Sequence, residues 1–216
     1  IQTAVPEAMV ISDPEEEMIT QFPDIRIFQS IAVGIGMGTA QYTIDAFKVF
    51  ITQPSHTALV LDADALNILA KHRELWQFVP KGSILTPHPK ELSRILGTWQ
   101  DDFEKLEKVR IFAAEYQLYI LIKGANSAMV APDGAIYFNS TGNVGMATGG
   151  SGDILTGILA ALLGQGYSSQ EALIMGVYIH GRAADIAVRS IGVYSLLPSD
   201  IINYLPAAFL ELEKQP

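Results

Sequence analysis

The chain has 216 residues, of which 49% are hydrophobic and 17% charged, a balance that excludes intrinsic disorder and allows one large domain with a substantial core. Its 14 Lys and Arg against 23 Asp and Glu give a net charge of -9 without any basic cluster, which argues against a nucleic-acid partner. Cysteine is absent, which removes disulfides, thiolate metal sites and cysteine nucleophiles and fits a reducing compartment such as the cytoplasm.

In chain order, residues 9–12 read as a short strand and 14–22 as a helix. Asp13 would cap that helix, with Glu15, Glu16 and Glu17 in the acidic first turn its dipole favours. A strand over 27–33 leads into the turn Gly34-Ile35-Gly36-Met37-Gly38, and 39–52 has helical periodicity. A buried-type strand over 58–62 precedes a helix over 64–71. The strand at 83–86 stops at Pro87, and helices over 88–96 and 102–116 follow. Strands over 118–123, 128–131 and 135–139 come next, the last two joined as a hairpin by Pro132-Asp133-Gly134. Helices over 152–163, 170–189 and 197–213 complete the chain.

The strand–helix alternation predicts an α/β fold of three α/β/α layers around a mainly parallel sheet, with the hairpin adding an antiparallel section. No repeat or linker interrupts it, so residues 1–216 are expected to form one domain. The uncharged stretch 154–170 falls short of the roughly 20 apolar residues that a membrane span needs, so no membrane partner is expected. Ile1-Gln2-Thr3-Ala4 has no basic signal-peptide region and no initiator Met, which suggests a start inside a longer chain.

Eight of the 18 glycines fall between Gly142 and Gly166, where even spacing would put about two. Residues 141–157 read TGNVGMATGGSGDILTG, a glycine-rich run entering an apolar helix. N–H groups at such a helix start, and successive glycine N–H groups, attract anions. Asp153 at this junction reads either as a first-turn carboxylate that complements the helix dipole or as a base facing the anion pocket. The loop Gly34–Gly38 reads as a nucleotide-binding turn or as a plain tight turn. Further polar clusters follow other strands: Asp62 to Asn67, Thr86 to Glu91 and Lys123 to Ser127. Ligands in open parallel sheets sit beyond the carboxyl ends of strands, so several clusters there suggest a shared pocket.

At these residues the sequence closely resembles the ADP/ATP-dependent NAD(P)H-hydrate dehydratases of the ribokinase-like superfamily. The matching strings are DADALN at 62–67, TPHPKE at 86–91, KGANS at 123–127, the run at 141–157 and HGRAAD at 180–185. Two departures stand out: Ile35 and Met37 replace the family's usual Pro and Leu in the first glycine loop, and Val144 replaces a usual Pro. Glycines and acids persist, so altered loop stiffness is expected rather than lost activity. The family also has an N-terminal portion that this chain lacks, and that portion contributes to the substrate pocket.

The resemblance implies that Gly36, Gly38, His88 and Asp153 contact the hydrated nicotinamide nucleotide. It implies that Lys123, Gly124, Ala125, Asn126, Ser127 and Gly152 hold ADP or ATP, with ADP preferred here as the co-substrate. Asp153 would be the catalytic base, and the N–H groups of Gly149, Gly150, Ser151 and Gly152 the anion hole. Mg²⁺ is expected, with Glu91 as a tentative position for it and otherwise no assigned ligands. The enzyme would be a hydro-lyase acting on NADH hydrate or NADPH hydrate in the cytoplasm, as a homo-oligomer and in the family's frequent tetrameric form. Two rivals remain: a related small-molecule kinase of the hydroxymethylpyrimidine or hydroxyethylthiazole type, and a nucleotide-binding module without catalysis. His180, on an apolar helix face, reads as a packed core residue, while His56 and His72 carry no signal.

Overall fold

The computed structural model describes residues 3–54 and 57–213, so His56 lies outside the described residues. Strands β1 (Ile31–Val33), β2 (Leu59–Leu61), β3 (Ile84–Leu85), β4 (Tyr119–Ile122), β5 (Ala128–Val130) and β6 (Ile136–Phe138) form one sheet in sequence order. The first four strands run parallel, β5 is antiparallel to β4, and β6 is antiparallel to β5. The carboxyl ends of β1 to β4 and of β6 therefore share one edge.

Side chains alternate across the sheet with period two. Leu59, Leu61, Leu85, Ile120, Ile122 and Val130 face one layer, built on α1 (Gln41–Ile51), α2 (Ala63–Lys71), α3 (Pro89–Leu96) and α4 (Asp102–Tyr116). Val60, Ile84, Leu121 and Met129 face the other, where α5 (Ser151–Gly164) and α6 (Ser169–Ile191) lie. Both faces are apolar because both are covered, and each such side chain contributes roughly 2 kcal/mol of burial. The last helix, α7 (Pro198–Glu213), packs Ile201 and Ala208 on the small face of α6 formed by Ala183, Ala184 and Ala187.

Two predicted elements at the start do not form. Residues 9–12 are not a strand, and 14–22 make bends instead of a helix. Asp13 does gather N–H groups, but those of a loop: Glu15 at 3.0 Å, Thr20 at 2.7 Å and Gln21 at 3.1 Å, with the Thr20 hydroxyl at 2.7 Å. A helix would carry Thr20 about 10 Å along the axis from Asp13, whereas the loop satisfies all these donors on one carboxylate. Those bonds, led by Glu15, hold the Asp13 carboxyl down at about 2. Strand β1 is also shorter than expected, since its partner β2 offers only Leu59, Val60 and Leu61 for pairing. Residues 25–27 coil as a 3-10 turn instead.

Candidate functional site at the strand ends

The polar clusters that follow separate strands in sequence converge on one edge. The ladder continues past each strand: Asp62 N–H donates to the Val33 carbonyl, Thr86 N–H to Leu61 and Lys123 N–H to Pro87, each at 3.1 Å. Gly34, at φ +125°, takes a conformation open to glycine, and a Cβ there would lie 1.8 Å from the Asp62 carbonyl oxygen. The first glycine loop can turn away from β1 only without a side chain at that point.

That loop is tied to α2. Its Gly38 N–H donates to the Asp64 carboxylate at 2.9 Å, and its Gly34 carbonyl accepts from the Asp64 N–H at 3.1 Å. Of the two residues expected to contact substrate there, Gly38 thus has its N–H engaged, while Gly36 is exposed. Met37, the departure from the usual loop, is buried in the core, and Ile35 is largely exposed.

Asp62 caps α2. Its carboxylate is buried and accepts three bonds at 2.8 Å, from the Ala63 N–H, the Lys123 ammonium and the Thr156 hydroxyl. Ala63 sits at φ +47°, a left-handed conformation uncommon for a residue with a Cβ. The ammonium of Lys123 lies beside α5, since a Cβ on Gly152 would come within 3.4 Å of it. The residues that follow β2 and β4 are thereby joined to α5 around one charge pair.

The start of α5 has the geometry of an anion cradle. Gly150 stands at the cap in the left-handed region, φ +93°, and makes no side-chain cap. The N–H groups of Gly149, Gly150, Gly152 and Asp153 donate to no other described residue, while that of Ser151 reaches the Thr148 carbonyl at 3.4 Å. Such orphan donors in the first turn are where helices hold anions. Asp153 is exposed in this same turn, and its carboxylate has no hydrogen-bond or ion-pair partner among the described residues.

The cradle is braced from α6. His180 is buried, with Nε2 3.4 Å from the Ser151 hydroxyl, and burial lowers its pKa to about 4, so the imidazole is neutral. Asp185 accepts from the Gly142 N–H and the Asn143 amide, both at 2.9 Å. Gly181 lets the loop lie directly on α6, because a Cβ there would meet the Thr141 hydroxyl at 2.3 Å. His180 is thus the packed residue expected, while Asp185, Thr156 and Asp62 carry more than was read from the sequence. Two had a local signal: Asp185 is a carboxylate on an alanine face, and Thr156 is the one hydroxyl of apolar α5 beyond its first residue.

His88 caps α3. Its Nδ1 accepts from the Lys90 and Glu91 N–H groups at 3.1 and 3.4 Å, and its own N–H donates to Glu91 at 2.9 Å. That pattern makes Nε2 the protonated nitrogen, which lies 3.3 Å from the other Glu91 oxygen. The His88 side chain remains 46% exposed, whereas Glu91 is buried in this reciprocal cap. The backbone cap engages Glu91 Oε2, while Oε1 faces the imidazole Nε2. No group of three His, Asp or Glu side chains converges on a metal position among the described residues. Magnesium bound on nucleotide phosphates, keeping several waters, needs no such cage, and these donors fit that form. The turn at 124–127 closes on itself through the Ser127 hydroxyl, which donates to the Gly124 carbonyl at 3.1 Å.

Two cavities lie away from this edge. One of about 380 Å³ is lined by Trp76, Phe112 and Tyr116, and one of about 310 Å³ by Phe22, Tyr42 and Phe50. Neither includes the cradle residues.

Comparison with known proteins gives the family. A family model described as NAD(P)H-hydrate dehydratase matches residues 1–207. The bifunctional NAD(P)H-hydrate repair enzyme Nnr of Moorella thermoacetica is 41% identical over 189 residues, covering 86% of this chain and 35% of that protein. The ADP-dependent (S)-NAD(P)H-hydrate dehydratase of Neisseria meningitidis is 36% identical over 201 residues, covering 89% of this chain and 67% of that protein. The crystal structure of the Bacillus subtilis ADP/ATP-dependent NAD(P)H-hydrate dehydratase, co-crystallised with ATP/Mg²⁺ and soaked with CoA, superposes with a TM-score of 0.72 at 28% identity. That match covers 85% of this chain and 66% of the other. The chain therefore spans about a third of the bifunctional relative and about two thirds of the others.

Proposed function

The chain belongs to the NAD(P)H-hydrate dehydratase family, with its three-layer ribokinase-like fold, and from that premise we propose that it restores NADH or NADPH from its hydrate at the expense of ADP. The observation that carries this reading is the open row of N–H groups at the start of α5, with an unpartnered carboxylate in the same turn and an ammonium beside it.

Hydroxide is a poor leaving group near neutral pH, so direct dehydration is slow. Phosphorylating the hydroxyl first replaces it with phosphate. In this scheme Asp153 takes the hydroxyl proton as the oxygen attacks the terminal phosphoryl group of ADP, and AMP leaves. The N–H groups of Gly149, Gly150 and Gly152 hold the charge spread over the migrating oxygens, with Ser151 shaping the turn. The ring nitrogen lone pair then expels phosphate, and loss of a neighbouring proton restores the double bond. The overall change is hydrate plus ADP to reduced cofactor, AMP, phosphate and a proton. Magnesium, when bound, neutralises phosphate charge. Lys123, Gly124, Ala125, Asn126 and Ser127 border the nucleotide, and Gly36, Gly38 and His88 the nicotinamide end.

The same reading takes residues 1–216 as one domain and the protein as a cytoplasmic homo-oligomer. Supporting an oligomer, Leu197 and Ile202 are more than half exposed although their neighbours Leu196 and Ile201 are buried. No described helix is long and apolar enough to cross a membrane.

The test is to incubate the protein with NADH hydrate, Mg²⁺ and either ADP or ATP, and to follow the absorbance of regenerated NADH and the release of phosphate. Regeneration with AMP formation is expected. A stable phosphoester without NADH would make the protein a kinase, and nucleotide binding without phosphate release a module without catalysis. Asp153→Asn should fold and bind nucleotide while turnover drops by about 10²-fold or more. Near-normal turnover in that variant would remove Asp153 from the chemistry.

A further inference from the structure

The charge pair Asp62–Lys123 invites a role of its own. Asp62 belongs to neither the glycine loops nor the nucleotide strand end, yet it is the most heavily bonded carboxylate on this edge. It is 2% exposed, and three donors from three elements fix it, each at 2.8 Å. The backbone next to it is strained at Ala63, φ +47°, a cost that persists only where the surroundings demand that geometry. Lys123 is only partly covered, with 23% of its side chain exposed. Its ammonium lies in van der Waals range of the position a Cβ at residue 152 would take, 3.4 Å away.

We propose that Asp62 is a positioning residue, locked by Thr156, that holds the Lys123 ammonium against the first turn of α5 so that side-chain charge and main-chain N–H groups act on one phosphoryl group. This rests on the phosphoryl-transfer reading of the site. An ammonium on a flexible four-carbon stem would otherwise sample many positions. Held by a carboxylate that is itself held by a helix hydroxyl, it stays beside the cradle before any anion arrives. Preorganisation of this kind acts on the transition state, and a misplacement of about 1 Å can cost about 10²-fold in rate. Asp62 does not touch substrate in this scheme, and Thr156 acts only through Asp62.

The sign of the binding effect separates this role from a purely structural one. Removing the Asp62 charge leaves Lys123 uncompensated near the cradle, which favours ground-state anions while losing their alignment. Asp62→Asn is therefore expected to lower kcat by about 10²-fold, with the Kd for ADP unchanged or tighter. Thr156→Val keeps the charge pair and loses the lock, and should lower kcat by about tenfold with KM for the hydrate unmoved. Thr156→Ser should recover most of that loss.

A readout without turnover makes the test independent of the reaction assigned. Acetylation of Lys123 by acetic anhydride, followed by peptide mass spectrometry, should run severalfold faster in Thr156→Val than in the parent protein, at matched folded fraction. ADP should slow it in both. If Thr156→Val folds but Lys123 labels at the parent rate, the positioning role is wrong, whatever the enzyme does. If labelling rises while the parent shows no hydrate turnover, the role stands and the assigned reaction falls. Should Asp62→Asn bind ADP more weakly in proportion to its loss of kcat, the pair is structural and the proposal is overturned.

Discussion

Two glycine-rich turns meet at the same sheet edge, and they are not equivalent. The turn after β1 closes over a carboxylate: Asp64 accepts the Gly38 N–H, and its own N–H binds the Gly34 carbonyl. The turn before α5 closes over nothing, and four of its N–H groups (149, 150, 152 and 153) find no partner among the described residues. One turn already holds an acidic group where an anion would go, while the other presents donors with an ammonium alongside. Glycine content alone does not make an anion site; what matters is whether the freed donors are spoken for.

The contrast can be broken most forcefully through pH. The turn before α5 leans on buried His180, whereas the turn after β1 leans on Asp64. Burial lowers the His180 pKa from an unfolded value of 6.5 to about 4. The folded protein keeps the imidazole neutral, so its full stability is present above pH 6.5 and is lost as pH falls toward 4. The loss reaches about 3 kcal/mol, and the stretch above pH 5 lies clear of most carboxylate titration. Thermal unfolding should show a falling Tm from pH 6.5 to 5 that is flattened in His180→Gln. An unchanged slope in that variant would detach the imidazole from the stability of the turn.

A smaller effect is expected from Gly150→Ala. The residue stands at φ +93°, and an added Cβ would come within 3.3 Å of Pro198. The left-handed conformation costs a residue with a Cβ about 1–2 kcal/mol, and relief of that strain would rotate the neighbouring N–H groups. ADP binding by calorimetry should weaken along with the Tm. Intact ADP affinity would mean that the row of donors is not the anion site.

How far the sequence carried this picture differs along the chain. The helix over 102–116 lies at the bounds read from the sequence, with Asp101 as its cap, although its apolar periodicity is weak. The glycine-rich run before α5 was also legible, because orphan donors at a helix start follow from local chemistry. The first 30 residues were not, because Asp13 reads locally as a cap and only the distant donors on Thr20 and Gln21 make it a loop anchor. Asp62 was read only as one member of a strand-end cluster for a similar reason. Its importance comes from Lys123 and Thr156, 61 and 94 residues away in the chain, and no spacing rule connects them. Strand ends could be placed on one edge from topology, but which side chains meet there depends on the crossing of α5 over the sheet.

The gentlest test addresses the closed turn itself. Asp64→Asn keeps the shape of the side chain and weakens the bond it accepts from the Gly38 N–H, now at 2.9 Å. Loss of one such bond near the surface is worth about 1 kcal/mol, so Tm should fall slightly. Because the turn before α5 is built from other residues, the affinity for ADP should stay within about twofold, a difference of about 0.4 kcal/mol. The KM for the hydrated cofactor is the quantity expected to rise, since Gly36 and Gly38 border that end of the site in the proposed arrangement. If ADP affinity instead drops as far as it does in Gly150→Ala, the two turns act as a single anion site and their separation is wrong.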